Sequence, residues 1–276
     1  MRAWRVGGLI AAMAAPAAWA MPRVEIRAAA AEVVIVPEAR GDIVITQTRV
    51  NRRLPLRISR FGETTLIDGA LGHRVRGCAM TGQGLGVRIR GMETVTPADL
   101  PALAIHTPMD VRVTVGEGVT GSVGRSASLQ LQNRGCGRWT IANVRGRLDL
   151  DQIGSGEVRV GQAGEADLSV AGGGAINTRA VHGPLRAVSS GAGAIDVEGV
   201  SGPVMVRIAG SGSVGVHGGL ASQLNVSIAG SGVARFGGEA RSLVASVAGP
   251  GYVSVKRVSG PVSRRLFGAG EIHVGR

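Results

Sequence analysis

Val204-Met205-Val206-Arg207-Ile208-Ala209-Gly210-Ser211-Gly212-Ser213-Val214-Gly215-Val216 decides the fold, because Leu224-Asn225-Val226-Ser227-Ile228-Ala229-Gly230-Ser231-Gly232-Val233-Ala234-Arg235-Phe236 repeats its pattern. Apolar residues stand six, four and two positions before Gly210 and Gly230, and four and six positions after them. Alternation with period two on each side of a Gly-Ser-Gly triplet describes two short strands that meet at a corner. Helical periodicity is missing.

The triplet, generalised to Gly-x-Gly, opens at Gly116, Gly135, Gly154, Gly172, Gly191, Gly210, Gly230, Gly249 and Gly268, with separations of 18 to 20 residues that average 19. The same columns fill in the other units: Leu129, Leu148, Leu185 and Leu243 six before the first glycine, Leu131, Leu150 and Leu168 four before it, and Val158, Ile176, Ile195 and Ile272 four after it. The positions between are mostly Ser, Arg, Asp, Asn, Glu or Gly. A unit of this size cannot bury its apolar face alone, so consecutive units must stack with a ladder of aliphatic side chains inside. The expected fold is therefore all-β, a single-stranded parallel β-solenoid of about 19 residues per turn. Nine turns at roughly 4.8 Å span on the order of 40 Å. A right-handed coil is the default for parallel crossovers.

Composition agrees with this reading. The chain has 276 residues, 45 of them glycine and only seven aromatic, so its core must be built from Val, Leu, Ile and Ala. Glycine at this density without a collagen triplet indicates a chain that turns often. A second corner is marked by Gly183-Pro184, Gly202-Pro203 and Gly260-Pro261. The last unit departs from the pattern, since Arg264 occupies the inward column four before Gly268, which suits a terminal turn that meets solvent.

Three segments follow: 1–20 as a signal peptide, 21–108 as a less regular N-terminal β-region that covers the open end of the coil, and 109–276 as the Gly-x-Gly solenoid. In the middle segment Val24–Ile26, Val33–Val36, Ile43–Thr46, Leu56–Ile58, Thr64–Ile67 and Val87–Ile89 read as strands, as does Val111–Val115 at the entry to the repeats. The first twenty residues carry Arg2 and Arg5, an apolar stretch from Val6 to Trp19, and the small-x-small end Ala18-Trp19-Ala20. That stretch is shorter than the roughly 20 residues a spanning helix needs, and no later segment qualifies, so the mature chain is expected to lack a transmembrane segment. The expected location is the periplasm, the outer-membrane surface or the exterior.

The 31 basic residues exceed the 19 acidic ones by 12, and Lys256 is the one lysine. The surplus is spread: residues 21–108 carry 12 basic and 8 acidic groups, residues 109–276 carry 17 and 11. Nucleic acid is therefore not an expected partner. Cys78 and Cys136 are the only cysteines. In an oxidising compartment an even pair reads as a structural disulfide, here closing a 58-residue loop and contributing on the order of 4 kcal/mol in the chain-entropy model. Two free, buried thiols are the other reading.

The triplets Gly154-Ser155-Gly156, Gly210-Ser211-Gly212 and Gly230-Ser231-Gly232, each following an aliphatic strand, together with the lead-in Thr107-Pro108-Met109-Asp110-Val111-Arg112-Val113, resemble the head GIN domain of auto-transporter adhesins. That resemblance implies an exported, adhesin-like β-solenoid of the cell envelope without an assigned activity. Family members commonly place an aspartate after Gly-Ser-Gly, whereas this chain has Glu157, Ala175, Ala194, Ser213, Val233, Tyr252 and Glu271 there. No membrane-barrel pattern follows Gly270, so self-translocation is not expected.

Candidate chemistry is sparse. Asp149 and Asp167 share an outward column on adjacent turns, with Asp151 two residues along the strand, an arrangement that could serve general acid–base cleavage of a polysaccharide or hold a cation. Arg186 continues the first column, and Arg159, Asn177 and Asp196 make a similar ladder on the other strand, as expected for alternating charges on a solvated face. The histidines 73, 106, 182, 217 and 273 fall at different offsets, and none pairs with cysteine at metal-ligand spacing. No catalytic residue, metal site or cofactor is expected. Lys256, Arg257, Arg264 and Arg265 form the densest basic cluster and are the candidate contacts for an anion or glycan. The expected partners are an envelope polysaccharide or another surface protein, met on the long polar outer faces. The expected role is adhesion-like or structural binding, with a polysaccharide-cleaving enzyme or a periplasmic protein-binding scaffold as rivals.

Overall fold

The computed structural model describes residues 21–275, so the expected signal peptide lies outside the described residues. From residue 110 onward each turn stacks in parallel on the one before it, with the register the columns demand: Leu129 lies on Leu148, Val206 on Val226 and Ile228 on Val247. One set of strands runs into the glycine corner, for example Ser128–Arg134 and Leu243–Ala248; the other leaves it, for example Arg138–Ile141 and Ser213–Val216. Period-two alternation turns every second side chain inward, where Leu131, Leu150, Leu168, Val206 and Val226 are buried one above another. Burial of each such Val or Leu contributes roughly 1.5–3 kcal/mol, and only the neighbouring rungs make that burial possible.

The corner explains the triplet. Gly210 has φ +119°, which an L side chain rarely adopts. Gly212 is required for a different reason: a Cβ there would lie 2.6 Å from the carbonyl oxygen of Gly193 in the turn below. The first glycine thus makes the bend and the third permits the close stacking.

Each turn also has a third side, not anticipated from the two-strand reading of the repeat. Short parallel pairings join Ala163 to Val181, Val181 to Val200, Gly202 to Ala221, Ala221 to Ala240 and Ala240 to Val258. Val144, Ala163, Val181, Val200, Ala221 and Ala240 are buried, closing the coil on its third face. These runs are short and rich in Ala and Gly, so their alternation was hidden among what read as turns.

The parallel ladder also extends beyond the glycine repeats. Arg23–Arg27 lies between Thr64–Asp68 and Asp110–Val115, and Ala31–Pro37 lies between Ala102–Thr107 and Val119–Val123. These two N-terminal strands form a rung, and Ala28-Ala29-Ala30 replaces the glycine triplet at its corner, with Ala28 at φ 47°. Beyond them the end of the coil is covered by Val44–Arg49 and Arg57–Phe61, which pair antiparallel to Ala102–Thr107 and Thr64–Asp68. The strand Ala102–Thr107 escaped the sequence reading because Pro101 and Pro108 flank it; both fall outside the paired segment, where no ladder N–H is required.

Residues 69–101 leave the coil as an excursion. Its hairpin, Val75–Thr81 with Gly84–Ile89, packs a satellite core of Leu54, Leu71, Val75, Val87 and Leu100 against Ala30. Cys78 of the hairpin is bonded to Cys136 at the Gly135-Cys136-Gly137 corner, with their Cα atoms 5.7 Å apart. The disulfide therefore fastens the excursion to the coil.

Candidate functional site

The side faces of the coil are the surfaces on which function must be sought, because stacking aligns their outward side chains into columns. On the face that leads into the glycine corner, Arg112, Gln130, Asp149, Asp167, Arg186, Met205, Asn225 and Val244 follow one another in register. Arg112 Nε donates to Gln130 Oε1, and Gln130 Nε2 donates to Asp149 Oδ2 at 3.4 Å. One turn further, Arg186 Nη1 donates to Asp167 Oδ1 at 2.9 Å, and Arg147 stands 3.4 Å from Glu165 and 3.9 Å from Asp167. The column is thus a partial polar ladder, with hydrogen bonds from Arg112 to Asp149 and an ion pair between Asp167 and Arg186, and exposed ion pairs of this kind contribute roughly 0–1 kcal/mol each.

Asp149 is the exception within it. Partial burial, reinforced by the negative charges of Asp151 and Asp167, holds its carboxyl above the ordinary aspartate range, against the opposing pull of Arg147 and Arg112. The structure thus brings Asp149, Asp151 and Asp167 onto one face as their spacing implied. It also engages Asp167 with two guanidiniums. A shallow groove of about 320 Å³ beside this ladder runs from Arg147 and Asp167 past Arg186 to Pro184, Pro203 and Met205, so charged and flat apolar surface lie side by side.

On the next face Arg159, Asn177 and Asp196 stack in register, as the sequence columns predict. Glu157 is held by Arg159 at 2.8 Å and Arg138 at 3.4 Å, and His217 stands 3.4 Å from Asp196. His106 Nδ1 lies 3.1 Å from Glu38 Oε1. Among the described residues, no group of three or more His, Cys, Asp or Glu side chains is placed to hold a metal ion.

The four basic residues singled out above fall on two strands of the terminal turns. Lys256 and Arg257, near the end of Tyr252–Val258, line a shallow groove with His217 and Glu239. Arg264 and Arg265 lie on Val262–Phe267, outside that groove. All four are exposed.

One polar feature was missed. Asn133, Gln152 and Ser189 are fully buried in the column two before the first glycine, which Val170, Ile208, Ile228 and Val247 fill elsewhere. Asn133 Nδ2 donates to Gly137 O and to Gln152 Oε1, Gln152 Nε2 donates to Gly135 O, and Ser189 Oγ donates to Gly193 O. They hold the corner carbonyls from inside, and the signal was present: three polar residues in an otherwise aliphatic column.

A family model described as "Putative auto-transporter adhesin, head GIN domain" matches residues 108–259, more than half of the chain. The chain belongs to this family. The match begins at the lead-in strand quoted above and covers the glycine-cornered turns up to the last one. No curated protein matches the chain. Among the described residues, no helix is long and apolar enough to cross a membrane. The head GIN membership, with a disulfide across 58 residues, accords with an exported protein.

Proposed function

We propose that this head GIN protein is an exported component of the cell envelope that binds an extended polymer along its side faces and performs no catalysis. The observation that carries the reading is the column Arg112 to Asn225: a rack of polar and charged side chains repeating at the rung spacing, interrupted by Met205 and flanked by Pro184 and Pro203. A regularly spaced rack suits a ligand that is itself periodic and extended, and polysaccharide of the envelope is the first candidate. Periplasm, outer-membrane surface and exterior are all compatible with it. The test is fractionation of the native host carrying tagged protein, combined with retention of the purified protein on immobilised envelope polysaccharides. Recovery with the envelope or medium, with Cys78 and Cys136 bonded, and salt-sensitive retention are expected. Recovery in the cytosol with both thiols free, or no retention on any polysaccharide, would contradict it.

The raised carboxyl of Asp149 beside Asp151 favours one second reading, a polysaccharide-cleaving enzyme with Asp149 as proton donor. Release of new reducing ends from a polysaccharide, lost on Asp149→Asn, would establish that reading and displace the first.

A further inference from the structure

The two ends of the coil are finished differently. At the N-terminal end the last parallel strands are covered by antiparallel partners. At the other end, among the described residues, Val262–Phe267 pairs only with Leu243–Ala248, and Glu271–Val274 only with Tyr252–Val258. In a parallel ladder the backbone groups of alternate residues face opposite neighbours. Leu243 N donates to Pro261 O and Gly249 N to Phe267 O, so the odd-numbered residues of this strand face the previous rung. Val262, Arg264 and Leu266 therefore turn their N–H and C=O groups to the open side. By the same count Ile272 and Val274 do so on the adjoining face, since Glu271 and Gly275 donate backward to Gly251 and Val255.

This edge is also apolar and basic. Val262 and Leu266 are 40% and 49% exposed, unlike their counterparts in earlier turns such as Val204 and Ile208, which are buried, and the outward-facing Phe267 adds a ring that is 65% exposed. Lys256, Arg257, Arg264 and Arg265 surround it, with Glu271 as the one acid in the final turn, and none of the four cations forms an ion pair among the described residues. A two-fold contact between copies centred on Val262–Phe267 would gather four guanidiniums, which disfavours self-association.

The geometry points to an interaction surface for a partner protein: the open edge Val262–Phe267 accepts an extended acidic segment as one further strand, with Arg264 and Arg265 pairing its carboxylates. Main-chain hydrogen bonds supply affinity in strand addition, and alternate side chains supply selection. Val262 and Leu266 take the apolar positions of the incoming strand. The guanidinium fork of Arg264, standing in register where each earlier glycine-cornered turn has an aliphatic or alanine residue, from Val113 to Ala245, selects a carboxylate. This surface is independent of the side faces considered above.

The test uses the purified chain and three capped heptapeptides: Thr-Val-Thr-Glu-Glu-Val-Thr, which sets its valines opposite Val262 and Leu266 and its glutamates opposite Arg264 and Arg265, the same sequence with lysine in place of glutamate, and the glutamate sequence N-methylated at the alternate amides that face the edge. The glutamate peptide is expected to bind in a fluorescence-anisotropy titration and to weaken with added salt. Arg264→Glu/Arg265→Glu is expected to weaken it about tenfold or more and to bind the lysine peptide instead, a reversal that a merely unfolded variant would not show. N-methylation is expected to abolish binding. Absence of binding by the glutamate peptide, equal binding of the lysine or N-methylated peptide to the native chain, or a stable dimer of the free protein in sedimentation would overturn the inference.

Discussion

Gly172-Gly173-Gly174 offers three consecutive glycines at one corner, and the stacked geometry assigns each a different response to alanine. At Gly172 the backbone has φ +109°, and a Cβ would lie 2.9 Å from Gly154 O. Strain at such a φ costs about 1–3 kcal/mol before the contact is counted. At Gly174 the backbone is ordinary, but a Cβ would lie 2.6 Å from Gly156 O and 3.0 Å from Gly154 O, atoms locked in the turn below. Overpacking of this kind also costs about 1–3 kcal/mol. At Gly173 a Cβ would meet nothing within 4 Å, so Ala is expected to change stability by no more than about 1 kcal/mol, and a gain is allowed because the unfolded chain loses freedom. In urea unfolding, with a slope near 3 kcal/mol per molar, a loss of 2 kcal/mol lowers the midpoint by about 0.7 M. The expected pattern is two lowered midpoints around one unchanged. Equal midpoints for the three variants, or the lowest midpoint for Gly173→Ala, would refute the assignment of bend to the first glycine and stacking to the third.

Two further outcomes follow from named contacts. Reduction of Cys78–Cys136, or its replacement by Ser at both positions, should lower stability by on the order of 4 kcal/mol and expose the excursion 69–101 to limited proteolysis while far-UV circular dichroism keeps its β signature. Asp149→Asn should raise the melting temperature at neutral pH, because a carboxyl held above its unfolded pKa penalises the folded state once pH passes the ordinary aspartate range. That advantage should shrink as pH falls and vanish where aspartate is protonated in both states; an advantage independent of pH would contradict the stated cause.

How much of this was legible from the sequence depended on side-chain contrast. Columns such as Val206 and Val226 alternate with Arg207 and Ser227, so strand, register and inward face could all be read from them. The third side offers Val181, Val200, Ala221 and Ala240 in runs interrupted by glycine, where little contrast exists to reveal the pairing. The N-terminal rung was obscured because its corner is Ala28-Ala29-Ala30 and because residues far apart in sequence, Thr64–Asp68 and Ala102–Thr107, complete the stack beneath it. The Cys78–Cys136 bridge was inferable from compartment and parity, whereas the hairpin that carries Cys78 was not: Gly77 interrupts its strand at an irregularity in register. On the faces, ladders such as Asp167 with Arg186 followed directly from the period. The inward polar trio Asn133, Gln152 and Ser189 broke the aliphatic rule that defined its column, and only the corner carbonyls explain it.

Spin labels on one outward column would measure the rung spacing directly. With one label fixed at Gln130 and the other at Met205, Asn225 or Val244, the labels stand four, five and six turns apart. Pulsed dipolar spectroscopy should give three distances that increase by about 4.8 Å from each pair to the next. Distances that do not increase in that order, or increments far from the spacing of neighbouring strands, would contradict a coil of stacked turns.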